Sequence, residues 1–223
     1  MERSIAIQRG VLLRSMPLTI ANGFNTLHRY TEQTTELYDR WQKEQLMLLE
    51  RSFRTNDNDN GQFLNLQADL RNNLQSILFN STFVSCIAFL ETQFKLICEI
   101  LQTNQAKLAD AKGNSSLQKF YNFISKQFHI DLKAKDKLFN SLILHNQIRN
   151  KIVHEQASIQ DEPELVRKVK QMKNIYVDEP AEGYFEVKIT GCDFIYDYIK
   201  MAREYLNFVN EEILKQIPST EVI

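Results

Sequence analysis

The stretch Phe83–Leu101, F-V-S-C-I-A-F-L-E-T-Q-F-K-L-I-C-E-I-L, is apolar on almost every face of a helix. That is the pattern of a central helix packed by neighbours on several sides. Within it Val84, Ile87, Glu91, Phe94, Cys98 and Leu101 follow alternating steps of three and four, so Glu91 interrupts an apolar seam. A carboxylate facing a core has to be paired, hydrogen-bonded or neutralised, because leaving it alone costs on the order of several kcal/mol. Glu91 therefore calls for a partner. The helical pattern extends back to about Phe63 and on to Ala109, with an interruption expected near Asn72-Asn73 or Asn80-Ser81.

Composition agrees with a helical frame. Apolar residues make up 43% of the 223 residues and charged ones 25%, while six Gly and four Pro are few for a loop-rich or all-β chain. Towards the N-terminus, Tyr38, Trp41, Leu46, Leu49 and Phe53 recur at helical spacing and predict an amphipathic helix over Thr31–Phe53. Residues 1–30 lack a clean period and read as an arm or a marginal helix, which leaves 31–223 as a single helical domain. The turn-formers Asn56-Asp57-Asn58-Asp59-Asn60-Gly61 separate the first two helices. A calcium loop aligned on Gly61 would place Asn56 and Gln67 where carboxylates are needed, so a plain polar loop is the better reading.

Towards the C-terminus, Gly113-Asn114-Ser115 supplies an N-cap for a short helix carrying Leu117, Phe120, Ile124 and Phe128. A further helix over about Lys135–Ala157 turns Leu138, Leu142, Ile148 and Ile152 inward. Asp161-Glu162-Pro163 opens another, with Leu165, Val166, Val169 and Met172 on its apolar side. The alternation of Phe185, Val187 and Ile189 in Tyr184–Thr190 reads as a strand, paired with Asn174–Val177 in a hairpin over about 174–190. Phe194, Tyr198, Ala202, Tyr205, Val209 and Ile213 define a closing helix. The expected fold is thus all-α, a helical bundle with a small β-hairpin before the C-terminal helix.

Several classes of function are excluded. A net charge of −1 provides no field that would draw a polyanion to the whole molecule, so nucleic-acid contact has to come from a local basic patch. Cys86, Cys98 and Cys192 are odd in number and contain no C-x-x-C pair, which fits a reducing cytoplasm and no thiolate zinc site. No run of about 18 apolar residues predicts a membrane span. A Gly-rich phosphate loop, H-E-x-x-H and a nucleophile elbow are all missing, so no cofactor or metal is expected.

Chemistry concentrates in Arg149-Asn150-Lys151-Ile152-Val153-His154. Cleaving RNA without a metal needs a base for the 2′-hydroxyl proton, an acid for the leaving 5′-oxygen, and a cation beside the phosphorane. Histidine, with an intrinsic pKa of about 6.5, serves either proton-transfer role near neutrality. Arginine is a permanent bidentate donor to phosphate oxygens. Asn150 and His154, four residues apart on a helix, share a face, so the amide is placed to orient the imidazole or hold a phosphate. Arg149 and His154 lie about 140° apart around the axis, a separation that the long guanidinium stem can bridge. One helix carries one such histidine, whereas the reaction uses an acid and a base. A twofold homodimer would supply both.

The segment I-R-N-K-I-V-H at 148–154 resembles the R-x4-6-H signature of HEPN-domain ribonucleases, including the polar residue after the Arg. The order of elements is also similar: a long helix with Ala-Phe-Leu-Glu at 88–91, a polar loop, then a helix bearing R-N-x-x-x-H. Over roughly residues 62–158 the resemblance implies a helical bundle, dimerisation through the motif helices and endoribonuclease activity leaving a cyclic phosphate. It also implies frequent service in toxin–antitoxin or anti-phage defence, with an antitoxin or other protein as partner. Family members modified on a Tyr two residues after the His have H-x-Y; here Glu155 and Gln156 follow His154.

Plainer readings stand beside these. Arg149 caps its helix or pairs with Glu91, a supporting residue, and His154 is an ordinary cation at a helix C-terminus. His145, about 180° from His154, reads as a polar core or surface residue. Arg167, Lys168, Lys170 and Lys173 either track an RNA backbone or form a solvated helix face. Some HEPN domains are non-catalytic scaffolds, so an interaction module that binds a protein partner is the competing function.

Overall fold

The computed structural model describes residues 2–53, 60–103 and 105–216. Its regular elements are α1 (Glu2–Phe53), α2 (Asn60–Leu101), α3 (Ser116–Asn122), α4 (Asp136–His154), β1 (Ser158–Gln160), α5 (Pro163–Lys170), β2 (Ile175–Ala181), β3 (Tyr184–Ile189) and α6 (Cys192–Gln216). The chain is mostly helical and the expected hairpin is present. The fold is not purely α plus a hairpin, however, because β1 adds a third strand and the antiparallel sheet has the order β1-β3-β2. The polar loop weighed as a calcium site lies outside the described residues but for its end, Asn60 and Gly61, in α2.

By its internal packing the chain divides into two compact units. The first comprises Met1–Leu27, Ser85–Ile148 and Asp197–Ile223; the second comprises His28–Val84 and Arg149–Tyr196.

In the first unit, the opening residues turn out to be helix rather than arm. Leu13, Met16, Ile20 and Phe24 of α1 are each 3% exposed or less. Pro17 sits inside α1 without ending it, because the apolar residues on either side of it are anchored in the core. Gly23 allows a close approach: a Cβ there would collide with the Phe89 ring, which meets Phe24 edge-on at 4.9 Å between centroids. Around this sit Phe94 stacked on Phe120 at 5.9 Å and Tyr205 stacked on Phe139 at 5.4 Å. On α6, Tyr198, Ala202, Tyr205, Val209 and Ile213 are buried as their spacing predicts. Burial pushes the thiols of Cys86 and Cys98 up to about 12, with the charge of Glu99 adding to the effect at Cys98. Both are inert core residues. Ser115 caps α3 as expected, its hydroxyl accepting from the Gln118 amide at 3.2 Å.

In the second unit, α2 runs through the two asparagine sites where an interruption was expected. The polar side chains near the second site bond along their own helix instead of ending it. Asn80 Nδ2 donates to Ser76 Oγ at 3.2 Å, and the hydroxyls of Ser81 and Thr82 both donate to the Leu78 carbonyl at 2.9 Å. Buried Phe79 and Phe83 anchor the same turns, and Phe83 meets Phe194 at 5.1 Å. In the sheet, Ile175 pairs with Ile189, Tyr176 with Lys188, Val177 with Val187 and Asp178 with Glu186, before a bulge leads to Ala181 opposite Tyr184. Paired residues share a face, so the ladder separates an apolar side from a polar side carrying Tyr176, Asp178, Glu186 and Lys188. α5 starts with Pro163 in its first turn, packs on β1 and β2, and buries Leu165, Val166 and Val169.

The burial of Phe24 makes the N-terminal segment testable. Phe24→Ala is expected to lower the unfolding free energy by about 3–5 kcal/mol, read by urea denaturation. A change near zero would return the segment to the status of an appendage.

Candidate active site

The candidate residues follow from how α4 ends. Asp136 in its first turn suits the positive helix terminus, and Phe139, Leu142 and Ile148 are buried along its inner side. At the C-terminal end the buried position shifts by one residue. Ile152, expected to face inward, is half-buried, while Lys151 is only 8% exposed.

Two carboxylates account for that shift. Lys151 Nζ donates to both oxygens of Glu155 at 2.9 Å and also to Glu162 Oε1. Burial alone would depress the ammonium's pKa, but the hydrogen bonds and charges of Glu162 and Glu155 outweigh it and hold the value above that of an ordinary lysine. The clamp closes over a strained turn. Gln156 and Ala157 have φ of 52° and 65°, left-handed values that cost non-glycine residues about 1–2 kcal/mol each. The Lys151 carbonyl accepts from the amides of Glu155 at 3.0 Å and Ala157 at 2.9 Å, and the Ala157 carbonyl accepts from Val187 N at 2.8 Å. β1 then pairs with β3, Ile159 opposite Phe185.

The catalytic candidates flank this clamp. Arg149 is half-buried, and its Nη1 donates to Asn150 Oδ1 at 3.0 Å. Its Nε is buried with no hydrogen-bond partner among the described residues, so the guanidinium is anchored at one corner and unsaturated at another. Asn150 therefore serves the guanidinium. His154 is the last residue of α4 and is exposed. Among the described residues no hydrogen bond joins it to Arg149 or Asn150.

Other candidates have local roles. Glu91 belongs to the first unit and is half-buried on α2. There its charge, together with burial and Cys86, raises the pKa of the Tyr198 hydroxyl, burial being the largest cause. Arg149 opens a segment of the second unit. His145 is a core residue of the first unit, 4% exposed, with its Nδ1 at 2.7 Å from the Ser141 carbonyl and its imidazole pKa lowered by burial. Of the basic residues on and after α5, Arg167 donates to Glu164 at 2.9 Å and Lys170 lies 4.9 Å over the Phe185 ring, while Lys168 and Lys173 are exposed.

Lys151 is the residue that spacing alone passed over, although Glu155 four residues on is a visible helical pairing signal. Among the described residues no three His, Cys, Asp or Glu side chains converge to hold a metal ion, and no helix is long and apolar enough to cross a membrane. No family model, curated protein or solved structure matches the chain.

Removing the Lys151 charge has a predictable cost. Glu155 and Glu162 keep 46% and 45% of their side-chain surface exposed, so they rehydrate when the ammonium is lost. Lys151→Met should therefore destabilise by only about 1–2 kcal/mol, short of a fully buried broken pair. Because the folded pKa is raised, the wild-type advantage is complete below the ordinary lysine value of 10.5 and disappears as pH rises through the folded value. Urea unfolding of both proteins across the alkaline range checks this, and an advantage independent of pH would refute the clamp.

Proposed function

We propose that this protein is a HEPN-type endoribonuclease that cleaves RNA without a metal and works as a homodimer in the cytoplasm. The observation that carries the reading is an anchored, donor-rich guanidinium, Arg149 on Asn150, on the same terminal stretch of helix as the exposed imidazole of His154. One His154 takes the proton of a ribose 2′-hydroxyl, and its oxygen attacks the adjacent phosphorus. The His154 of the second copy gives a proton to the departing 5′-oxygen. The products are a 2′,3′-cyclic phosphate and a free 5′-hydroxyl, so no water is consumed and no electrons are transferred. Arg149 neutralises charge on the phosphorane, Asn150 holds Arg149, and the Lys151 clamp fixes the turn that follows the histidine. Of the four basic residues on and after α5, Lys168 and Lys173 are assigned the contact with the RNA backbone, since Arg167 and Lys170 already have local partners. A toxin–antitoxin or anti-phage setting, with a neutralising protein partner, follows from the family resemblance.

A second reading, a non-catalytic module that binds a protein, draws on α1. There Leu37, Met47 and Leu48 are 64%, 59% and 57% exposed.

Cleavage assays separate the two. Purified protein in EDTA should convert labelled RNA into fragments with cyclic-phosphate ends. His154→Ala should abolish this, and Arg149→Ala should slow it by about 10²-fold or more. A mass measurement in solution should give a dimer. Inert wild-type protein, or undiminished cutting by His154→Ala, rejects the nuclease reading.

A further inference from the structure

The second unit also holds a cavity of about 320 Å³ between α2 and the hairpin. Gln75 and Ser76 line it from α2, Tyr176 and Asp178 from β2, and Lys188 and Thr190 from β3 and its end. Gln75 Nε2 donates to the Thr190 carbonyl at 3.2 Å and pins the helix to the hairpin. Tyr176 is 54% exposed, so its ring is accessible beside the opening. Lys188 Nζ lies 3.8 Å from Asp178 Oδ2 and 3.0 Å from Glu186 Oε2.

The charges select what the cavity accepts. With two carboxylates around one ammonium, a phosphate would be repelled rather than held. A neutral planar group is favoured instead, stacked on the tyrosine as bases of single-stranded nucleic acid stack on aromatic rings. Its edge has to match a donor beside a pair of acceptors, Lys188 then Asp178. The complement is a row of one acceptor followed by two donors. Guanine presents that row as O6, N1–H and N2–H₂. Adenine offers a donor and then an acceptor, cytosine a donor and then two acceptors, and uracil sets its O2 against the carboxylate.

We propose that this cavity binds a guanine base, with Tyr176 stacking on the ring, Asp178 accepting from N1–H and N2–H₂, and Lys188 donating to O6. The geometry stands by itself. Only the assignment of the base to an RNA chain rests on the ribonuclease reading.

Binding can be measured without cleavage. Full-length His154→Ala protein is titrated by calorimetry with the RNA pentamers AAGAA and AAAAA, and with guanosine and adenosine. Guanine is expected to bind about tenfold or more tightly than adenine. Tyr176→Ala should weaken binding of guanosine by a similar factor. Asp178→Asn should erase the preference, while thermal unfolding confirms that both variants are folded. A guanosine preference without a pentamer preference upholds the base site and assigns it to a free nucleotide. Equal affinities, no binding, or a preference that survives Asp178→Asn overturns it. Failure of the cleavage assay would leave these outcomes unaffected, so the two ideas fall separately.

Discussion

One ammonium, that of Lys151, governs the passage from helix to sheet in the second unit. The segment from Glu155 to Glu162 begins and ends on carboxylates that meet the same Nζ, so a single charge closes both ends of a loop. Inside that loop three residues, Gln156, Ala157 and Asp161, hold left-handed φ values of 52°, 65° and 55°. Such conformations persist only where the surroundings over-determine them. The clamp, the doubly used Lys151 carbonyl and the β1–β3 ladder supply that constraint together. His154 occupies the last helical position before the strained turn.

Long periodic segments were readable because their burial follows the helix repeat. Phe194, Tyr198, Ala202, Tyr205, Val209 and Ile213 are all 2% exposed or less. The opening segment was obscured by Pro17 and by Val11, Leu12 and Leu18, which are 61%, 50% and 67% exposed and break the contrast between faces. The three residues of β1 are too few to display an alternation, and their strand state depends on a partner 24 or more residues away in sequence. The continuity of α2 was hidden for another reason. Asn80, Ser81 and Thr82 look like helix breakers, yet each can satisfy its side chain on the preceding turn.

At the candidate site, residue types were legible and their engagements were not. Arg149, Asn150 and His154 stand out by chemistry, but whether the amide serves the imidazole or the guanidinium is decided by side-chain rotamers that no spacing rule encodes. Lys151 and Glu155 form a pair visible as an i, i+4 relation, whereas Glu162 joins them across a strand. Half of the basic cluster around α5 is already committed to a neighbouring carboxylate or ring, which a count of positive charges does not register.

The outer strand of the sheet carries Pro180 and a bulge between Asp178 and Ala181. Proline offers no amide hydrogen and the bulge breaks the regular repeat, so this margin cannot template a further strand along its whole length. At the opposite margin β1 presents only three residues. Both borders of the sheet are therefore blunted against edge-to-edge pairing with the strands of another copy.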